Sequence, residues 1–157
     1  MKFLYTIAYR ILLLWWFIFR PTKIGARAII TNESEDKILL IKQSYLGQWR
    51  LPWWLSNRGE DLLHTAVREI YEELHISIPE NHAKFLGMYS SIKEYKNDQI
   101  AVFICTAKAS QIQIDEKEIL AAKWFDINNL PSDTTQAVHK RISEWKTSPK
   151  QQYFTTW

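Results

Sequence analysis

The sequence predicts an α+β domain preceded by one extra apolar helix. Three observations carry this prediction. Segments rich in β-branched and aromatic residues occur before and after a strongly amphipathic helix, a second amphipathic helix follows them, and the first twenty residues are mostly apolar. The expected organisation is an N-terminal helix in residues 1–22, a single domain in residues 23–147 and a tail in residues 148–157.

Length and composition indicate one globular domain. The chain has 157 residues, of which 46% are hydrophobic and 24% charged, and this is enough to bury a substantial core. The formal net charge of +3 suits an anionic substrate, but the basic residues do not cluster as they do in nucleic-acid-binding proteins. The single cysteine, Cys105, lies in an apolar segment and allows no internal disulfide, so we expect a cytoplasmic location.

The N-terminal apolar segment, residues 3–19, has three interpretations. As a helix it would be about 25 Å long, slightly short of the ~30 Å hydrocarbon core of a membrane. Arg10 interrupts it, and a basic, proline-containing segment follows instead of a signal-peptide cleavage site. The helix can cover the domain or a partner subunit, or it can lie on a membrane with Trp15 and Trp16 near the headgroups. A membrane-spanning helix is the least favoured interpretation.

The strands of the domain are predicted from period-two patterns and turn residues. Strands are expected at residues 25–31, 37–43, 85–92, 99–107 and 122–127, and a loop leading into a short strand at residues 45–50. The first two flank a polar, turn-like segment, so we expect a hairpin. A last helix is expected to begin at a cap, Ser132, and to end at about Trp145. The residues after Thr147 are expected to form a loose tail.

A helix with three carboxylates on one face is predicted over residues 60–74. Glu69, Glu72 and Glu73 are spaced at i, i+3 and i+4, so they share one side of the helix, beside an apolar stripe that would be buried. Like charges packed this closely need a counter-charge, and a hard divalent cation such as Mg²⁺ prefers oxygen ligands. The alternative is a solvent-exposed acidic face without a ligand.

The residues around this helix resemble the signature of the Nudix hydrolases, G-x5-E-x7-R-E-U-x-E-E-x-G-U with U aliphatic. The matching residues are Glu60, Arg68, Glu69, Ile70, Glu72, Glu73 and Ile76. Trp54 and His75 stand where the signature has glycine. The segment G-Q-W-R-L-P at residues 47–52 is similar to a lead-in common in that family, and the resemblance extends over residues 24–146. It implies a Nudix-type α/β/α sandwich with a central mixed sheet.

The resemblance also implies roles for the residues of the signature. Glu72 and Glu73 would be the principal metal ligands. Glu69 would either bind metal or act as a general base. Glu60 and Arg68 would give structural support by bridging the preceding loop to the helix, and Arg68 would also steady Glu72 one turn on.

Two further metal ligands are implied outside the helix. The backbone carbonyl of Trp53 would be one, and Glu118, supplied from a distant loop, would be the other. Asp115 and Glu116 are rivals to Glu118, and an ordinary exposed acid is the alternative for all three. Where the family has two glycines, this chain has Trp53 and Trp54. If the loop keeps positive φ angles there, we expect backbone strain.

The substrate-binding candidates are Tyr45, Trp49 and Arg50. The two aromatic rings can stack on a nucleobase, and the guanidinium can contact phosphate. The alternative for Trp49 and Tyr45 is a place in the hydrophobic core, and Arg50 can instead face solvent.

The function implied by the resemblance is metal-dependent hydrolysis of a diphosphate linkage in a nucleoside diphosphate derivative or related compound. The cofactor would be Mg²⁺, or alternatively Mn²⁺, and the substrate would be a small molecule and not a nucleic acid. The two tryptophans and the apolar N-terminus support an alternative. This is a catalytically impaired Nudix-like domain that acts as a nucleotide-binding or interaction module.

Overall fold

The computed structural model of the protein describes residues 2–19, 22–43, 47–92, 97–108, 112–148 and 151–157. Three helices and seven strands occur within these ranges. In chain order they are α1 (Lys2–Phe19), β1 (Thr22–Thr31), β2 (Lys37–Gln43), β3 (Trp53–Leu55), α2 (Leu62–Leu74), β4 (Ala83–Ser91), β5 (Asn97–Thr106), β6 (Ile119–Asp126), α3 (Gln136–Thr147) and β7 (Tyr153–Thr156). A short 3₁₀ helix, Glu80–His82, precedes β4.

The strands form one mixed sheet. Its order is β6-β2-β1-β5-β4-β7, and β3 pairs with β1 off this path. β1 runs parallel to β5, and β4 runs parallel to β7, whereas the other pairs are antiparallel. Ile30 of β1 lies opposite Leu39 of β2, which confirms the predicted hairpin. The sheet lies between helices, so the predicted α/β/α sandwich is also confirmed.

The two faces of the sheet bury separate hydrophobic clusters, because successive side chains of a strand point to opposite faces. On β1, Ala28 and Ile30 belong to the cluster that contains Ile70 of α2. Ile29, between them, belongs to the cluster that contains Ile142 of α3. The acidic helix and the last helix therefore cover opposite faces.

Trp53 and Trp54 lie in a strand, β3, where the sequence predicts a strained loop. Both are extended, and neither has a positive φ, so the expected strain is absent. Gly25 on the facing strand β1 makes room for them. A Cβ at Gly25 would overlap the Trp54 carbonyl oxygen and lie 2.7 Å from the Trp53 ring. The glycine that this segment requires is therefore on β1.

The prediction of a loose C-terminal tail is wrong, because Tyr153–Thr156 forms strand β7, which pairs with β4. The backbone N–H of Trp157 donates to the carbonyl of Ser90 at 2.9 Å, and the Tyr153 hydroxyl donates to the carbonyl of Glu144 at 3.1 Å. Parallel pairing with a strand far away in the chain leaves no local pattern in the sequence.

The last helix begins later than predicted. Its N-cap is Thr135 and not Ser132, and the Thr135 side chain makes no capping hydrogen bond. Trp49 explains the shift, since its backbone N–H donates to the carbonyl of Asp133 at 3.2 Å and its carbonyl accepts from the Thr135 N–H at 3.1 Å. These bonds hold the segment before the helix in an extended conformation.

The described side chains of α1, residues 10–15 and 17–19, belong to neither hydrophobic cluster of the sheet. Ile11, Leu14, Ile18 and Phe19 are each between 60% and 63% exposed. In the part of the chain that the structure describes, no helix is long and apolar enough to cross a membrane.

Gly87→Ala is expected to detach β7 from the sheet. A Cβ at Gly87 would overlap the Tyr153 backbone, and overpacking of this kind costs about 1–3 kcal/mol. Hydrogen exchange should show faster exchange of the Trp157 amide. Thermal unfolding should show a lower melting temperature. Gly47→Ala is the control, since a Cβ there meets nothing within 4 Å. Equal protection of the Trp157 amide in all three proteins would contradict the pairing.

Candidate active site

Helix α2 begins and ends at identifiable caps. The Asp61 side chain accepts from the His64 backbone N–H at 2.8 Å, so the helix begins two residues after Glu60. At the other end His75 adopts φ 54°, and its N–H donates to the Tyr71 carbonyl at 2.9 Å. A left-handed residue without glycine costs on the order of 1 kcal/mol. His75 therefore ends the helix in the conformation that the signature glycine normally supplies.

Arg68 joins three carboxylates. Its Nε and Nη2 donate to the two oxygens of Glu60 at 2.7 and 3.0 Å, a bidentate pair that links the preceding loop to the helix. Nη2 also lies 2.9 Å from Glu69, and Nη1 lies 2.8 Å from Glu72. The guanidinium lowers the pKa of Glu60 to about 2, while Glu60 raises the pKa of Arg68. Glu60, Glu69 and Glu72 are thus all paired with the Arg68 guanidinium.

Glu73 lacks such compensation. It is 7% exposed, and its Oε2 has no hydrogen-bond partner. Burial, followed by repulsion from Glu118 and Glu69, raises the pKa of Glu73 to about 7, although the Trp54 indole opposes this change. Burial is also the main reason that the pKa of Glu69 is raised, with Glu72 and Glu118 contributing. The structure therefore brings together the carboxylates of Glu69, Glu73 and Glu118.

Trp54 occupies the position of the missing glycine and is 3% exposed on the α2 side of the sheet. Its indole N–H acts on the Glu73 carboxylate and lowers its pKa. The contact falls short of a well-formed hydrogen bond, since Trp54 Nε1 and Glu73 Oε2 are both buried without a full partner. The indole N–H therefore acts on the carboxylate electrostatically, without the geometry of a full hydrogen bond.

The donor chemistry of this cluster fits a hard divalent cation. Buried carboxylates that repel one another, with one oxygen unpaired, are relieved by such an ion. Within the described ranges, however, no three acidic, histidine or cysteine side chains are arranged to hold a metal. Glu69 and Glu72 are instead paired with the Arg68 guanidinium. Glu72 is the most exposed of the three helix acids assigned to the site, at 55% of its side chain.

A cavity of about 250 Å³ lies on the α3 side of the sheet. Its lining includes Arg27, Arg50, Leu51 and Trp157. Arg27 stacks on the Trp157 ring, with 4.5 Å from its guanidinium carbon to the ring centroid, and donates to the Leu51 carbonyl at 3.0 Å. Leu51 lines the cavity, whereas Trp54, three residues further on, lies with Glu73 on the α2 side, so the cavity and the Glu73 cluster lie on opposite sides of this short segment.

The predicted substrate-binding residues are separated by the structure. Arg50 lines the cavity, and its guanidinium donates to the Gln48 side chain at 3.3 Å. Trp49 is instead a core residue, 7% exposed and in edge-on contact with Phe125 at 4.7 Å. Tyr45 lies outside the described residues.

Sequence reasoning missed two residues of this cavity, Arg27 and Trp157. Arg27 had a signal, since it is a lone charge in the apolar strand G-A-R-A-I-I. Trp157 had none, because only the pairing of β7 brings it there. A larger cavity of about 490 Å³, lined by His75, His82 and their neighbours, contains none of the predicted site residues.

A family model described as NUDIX domain matches residues 21–146. The chain belongs to this family. The match confirms the resemblance on which the site residues were assigned. The matched range includes α2, whose sequence resembles the signature with Trp54 and His75 in place of two glycines.

Curated relatives agree with this assignment. The chain is 27% identical over 131 residues to human nucleoside diphosphate-linked moiety X motif 6, and these cover 77% of this chain and 40% of that protein. It is 30% identical over 125 residues to the Xenopus laevis protein of the same name, with 72% and 55% covered. The chain thus spans about half the length of these relatives.

Solved structures share the Nudix fold. The MutT NUDIX hydrolase of Burkholderia pseudomallei superposes with a TM-score of 0.69 at 25% identity, covering 78% of this chain and 97% of that one. A UDP-X diphosphatase gives 0.66 at 22% identity, with 85% and 68% covered. The NUDIX domain of Shewanella oneidensis NrtR, solved with ADP ribose, gives 0.69 at 17% identity, with 85% and 92% covered. For the last two structures, which are less than 25% identical to this chain, the similarity shows only a shared fold.

Glu73→Gln is expected to stabilise the metal-free domain at alkaline pH. The pKa of Glu73 is about 7 in the folded protein and 4.5 in the unfolded chain, so the folded protein binds the proton more tightly. The free energy of unfolding of the unchanged protein therefore falls as pH rises from about 4.5 through 7. The variant should gain on the order of 1–3 kcal/mol in the free energy of unfolding at pH 8. At pH 4 it should gain almost nothing. Denaturant unfolding with a chelator present measures this.

The control for this prediction is Glu72→Gln, which removes a more exposed carboxylate from the same helix. It should show no comparable gain at pH 8, since Glu72 is paired with Arg68. A loss of stability in Glu73→Gln that is equal at both pH values would contradict the buried, uncompensated charge.

Trp54→Phe is expected to raise the pKa of Glu73 further. The substitution keeps an aromatic ring in the core but removes the N–H that opposes the upward shift. Carbon-detected NMR titration of the Glu73 carboxyl carbon measures the change. Trp124→Phe is the matched control, because Trp124 Nε1 is likewise buried without a partner but does not act on Glu73. An unchanged titration in Trp54→Phe would show that the indole has no influence.

Proposed function

We propose that the protein is a metal-dependent Nudix hydrolase that cleaves a diphosphate linkage in a nucleoside diphosphate derivative. The observation that carries this proposal is the Glu73 carboxylate, on the helix that resembles the family signature. It is buried with one oxygen unpaired, and Glu69 and Glu118 repel it. Burying mutually repelling carboxylates destabilises a domain, so their presence here is best explained by a ligand that compensates them.

Mg²⁺, with Mn²⁺ as the alternative, would supply charge neutralisation of the diphosphate and activation of water. Glu72, Glu73 and Glu69 are the proposed ligands on α2, and Glu118 is the proposed ligand from the segment before β6. The Trp53 carbonyl is the proposed backbone ligand. The Glu69 side chain can alternatively accept a proton as the general base.

Glu60 and Arg68 support this arrangement without touching the substrate. Their bidentate pair fixes the loop against α2, and Arg68 holds Glu69 and Glu72 at 2.9 and 2.8 Å. If Glu72 bound a cation, Arg68 would still have Glu60 as a partner, so the link between the loop and α2 would remain.

The cavity on the α3 side is the proposed site for the rest of the substrate. Arg27 and Arg50 provide positive charge for an anionic group, and the Trp157 ring provides a flat apolar surface for a base. Relatives and neighbours named for nucleoside diphosphate-linked moieties, UDP-X and ADP ribose support a nucleotide-derived small molecule. Tyr45 stays a prediction for the same role. The free, buried Cys105 is consistent with the proposed cytoplasmic location.

A second candidate function is a binding module without turnover. The contacts of Arg68 favour it, since Glu69 and Glu72 are paired with a guanidinium and no three-ligand arrangement exists in the described residues. Such a module would bind the nucleotide in the same cavity but would not release phosphate-containing products.

The test is hydrolysis of a panel of nucleoside diphosphate derivatives with Mg²⁺ or Mn²⁺. Glu73→Gln and Glu72→Gln should each lower kcat/KM by at least ~100-fold, because each removes a proposed ligand charge. Glu33→Gln is the control, since Glu33 is an exposed acid in the β1–β2 turn. Full activity in the α2 variants would overturn the proposed ligands, and nucleotide binding without hydrolysis would favour the binding module.

A further inference from the structure

Helix α1 exposes a broad apolar surface that the proposed hydrolase does not use. Ile11, Leu14, Ile18 and Phe19 are each at least 60% exposed, and Trp15 is 49% exposed. Exposed apolar side chains in this number are unusual for a surface that faces only water. We propose that α1 docks on an anionic phospholipid membrane and lies along its surface.

The angular spread of the exposed side chains favours lipid over a protein partner. At 100° per residue, the exposed apolar positions from Phe17 round to Leu12 cover an arc of about 220°. A helix that packs on one protein partner buries a stripe of roughly 100° or a little more. A second copy of this helix would therefore leave about half of the arc in water, whereas acyl chains can cover a wider part of it.

Charge also points to anionic lipid. Residues 1–26 contain four basic residues and no acidic residue, and the first acid of the chain is Glu33. Each basic residue near an anionic membrane surface contributes about 1 kcal/mol of attraction at moderate ionic strength. The apolar arc and the basic residues thus lie in the same part of the chain, as in helices that bind membrane surfaces.

The position of Arg10 favours a helix that lies along the membrane. Arg10 is exposed in the middle of α1, and on the helical wheel it falls between Phe17 and Leu14, near one edge of the apolar arc. There its guanidinium can reach the headgroups while the arc enters the acyl region. In a helix perpendicular to the bilayer the same charge would lie near the centre, where it is costly.

The experiment is co-sedimentation of the full chain, free of metal and nucleotide, with two kinds of vesicle. One is phosphatidylcholine alone and the other is phosphatidylcholine with phosphatidylglycerol. We expect stronger binding to the second kind and weaker binding as salt rises. The double variant Leu14→Glu/Ile18→Glu should bind at least ~100-fold more weakly, because it places two charges in the apolar arc.

The matched control is Ile92→Glu/Leu120→Glu, which introduces the same charges at residues that are 81% and 63% exposed outside α1. It should bind vesicles like the unchanged protein. Equal vesicle binding by the α1 variant, or no binding by the unchanged protein, would overturn the proposal. A dimer that dissociates in the α1 variant, without vesicle binding, would show that a second copy is the partner. Because these measurements contain no substrate, they stand apart from the hydrolase assay.

Discussion

Burial of the apolar stripe of α2 is the constraint on which the site depends. Ile70 and Leu74 are fully buried against the sheet, and Glu73 lies next to them on the helical wheel. The helix cannot bury the first two without also drawing Glu73 out of water. The raised pKa of that carboxyl is the electrostatic result, and Arg68 cannot correct it because its guanidinium is already shared by three other acids.

This arrangement divides the acids of the helix by their surroundings. Glu60 is fixed by two charge-assisted bonds and has a lowered pKa, so it is a permanent partner of Arg68. The Glu73 carboxylate is buried on the apolar side of the helix, and its pKa is raised. Identical side chains on one short stretch therefore provide an anchor in one case and an unsatisfied charge in the other.

Much of the fold and of the site could be predicted from the sequence, because these features depend on local periodicity and on the spacing of nearby residues. The hairpin, the acidic helix and the Glu60–Arg68 link depend on residues that are close in the chain. The features that were missed depend on distant backbone pairing. β7 needs β4, and the start of α3 is set by Trp49. The placement of Trp49 in the core likewise depends on contacts far along the chain.

The contact between Gly25 of β1 and Trp53 of β3 means that neither position can be altered alone. The indole fills space that the absent Cβ of Gly25 leaves on the neighbouring strand. Returning glycine to position 53 alone would open a void there, and adding a side chain at Gly25 alone would collide with the ring. The two positions form one steric unit, and transfer of the family's usual loop into this domain requires both strands to be redesigned together.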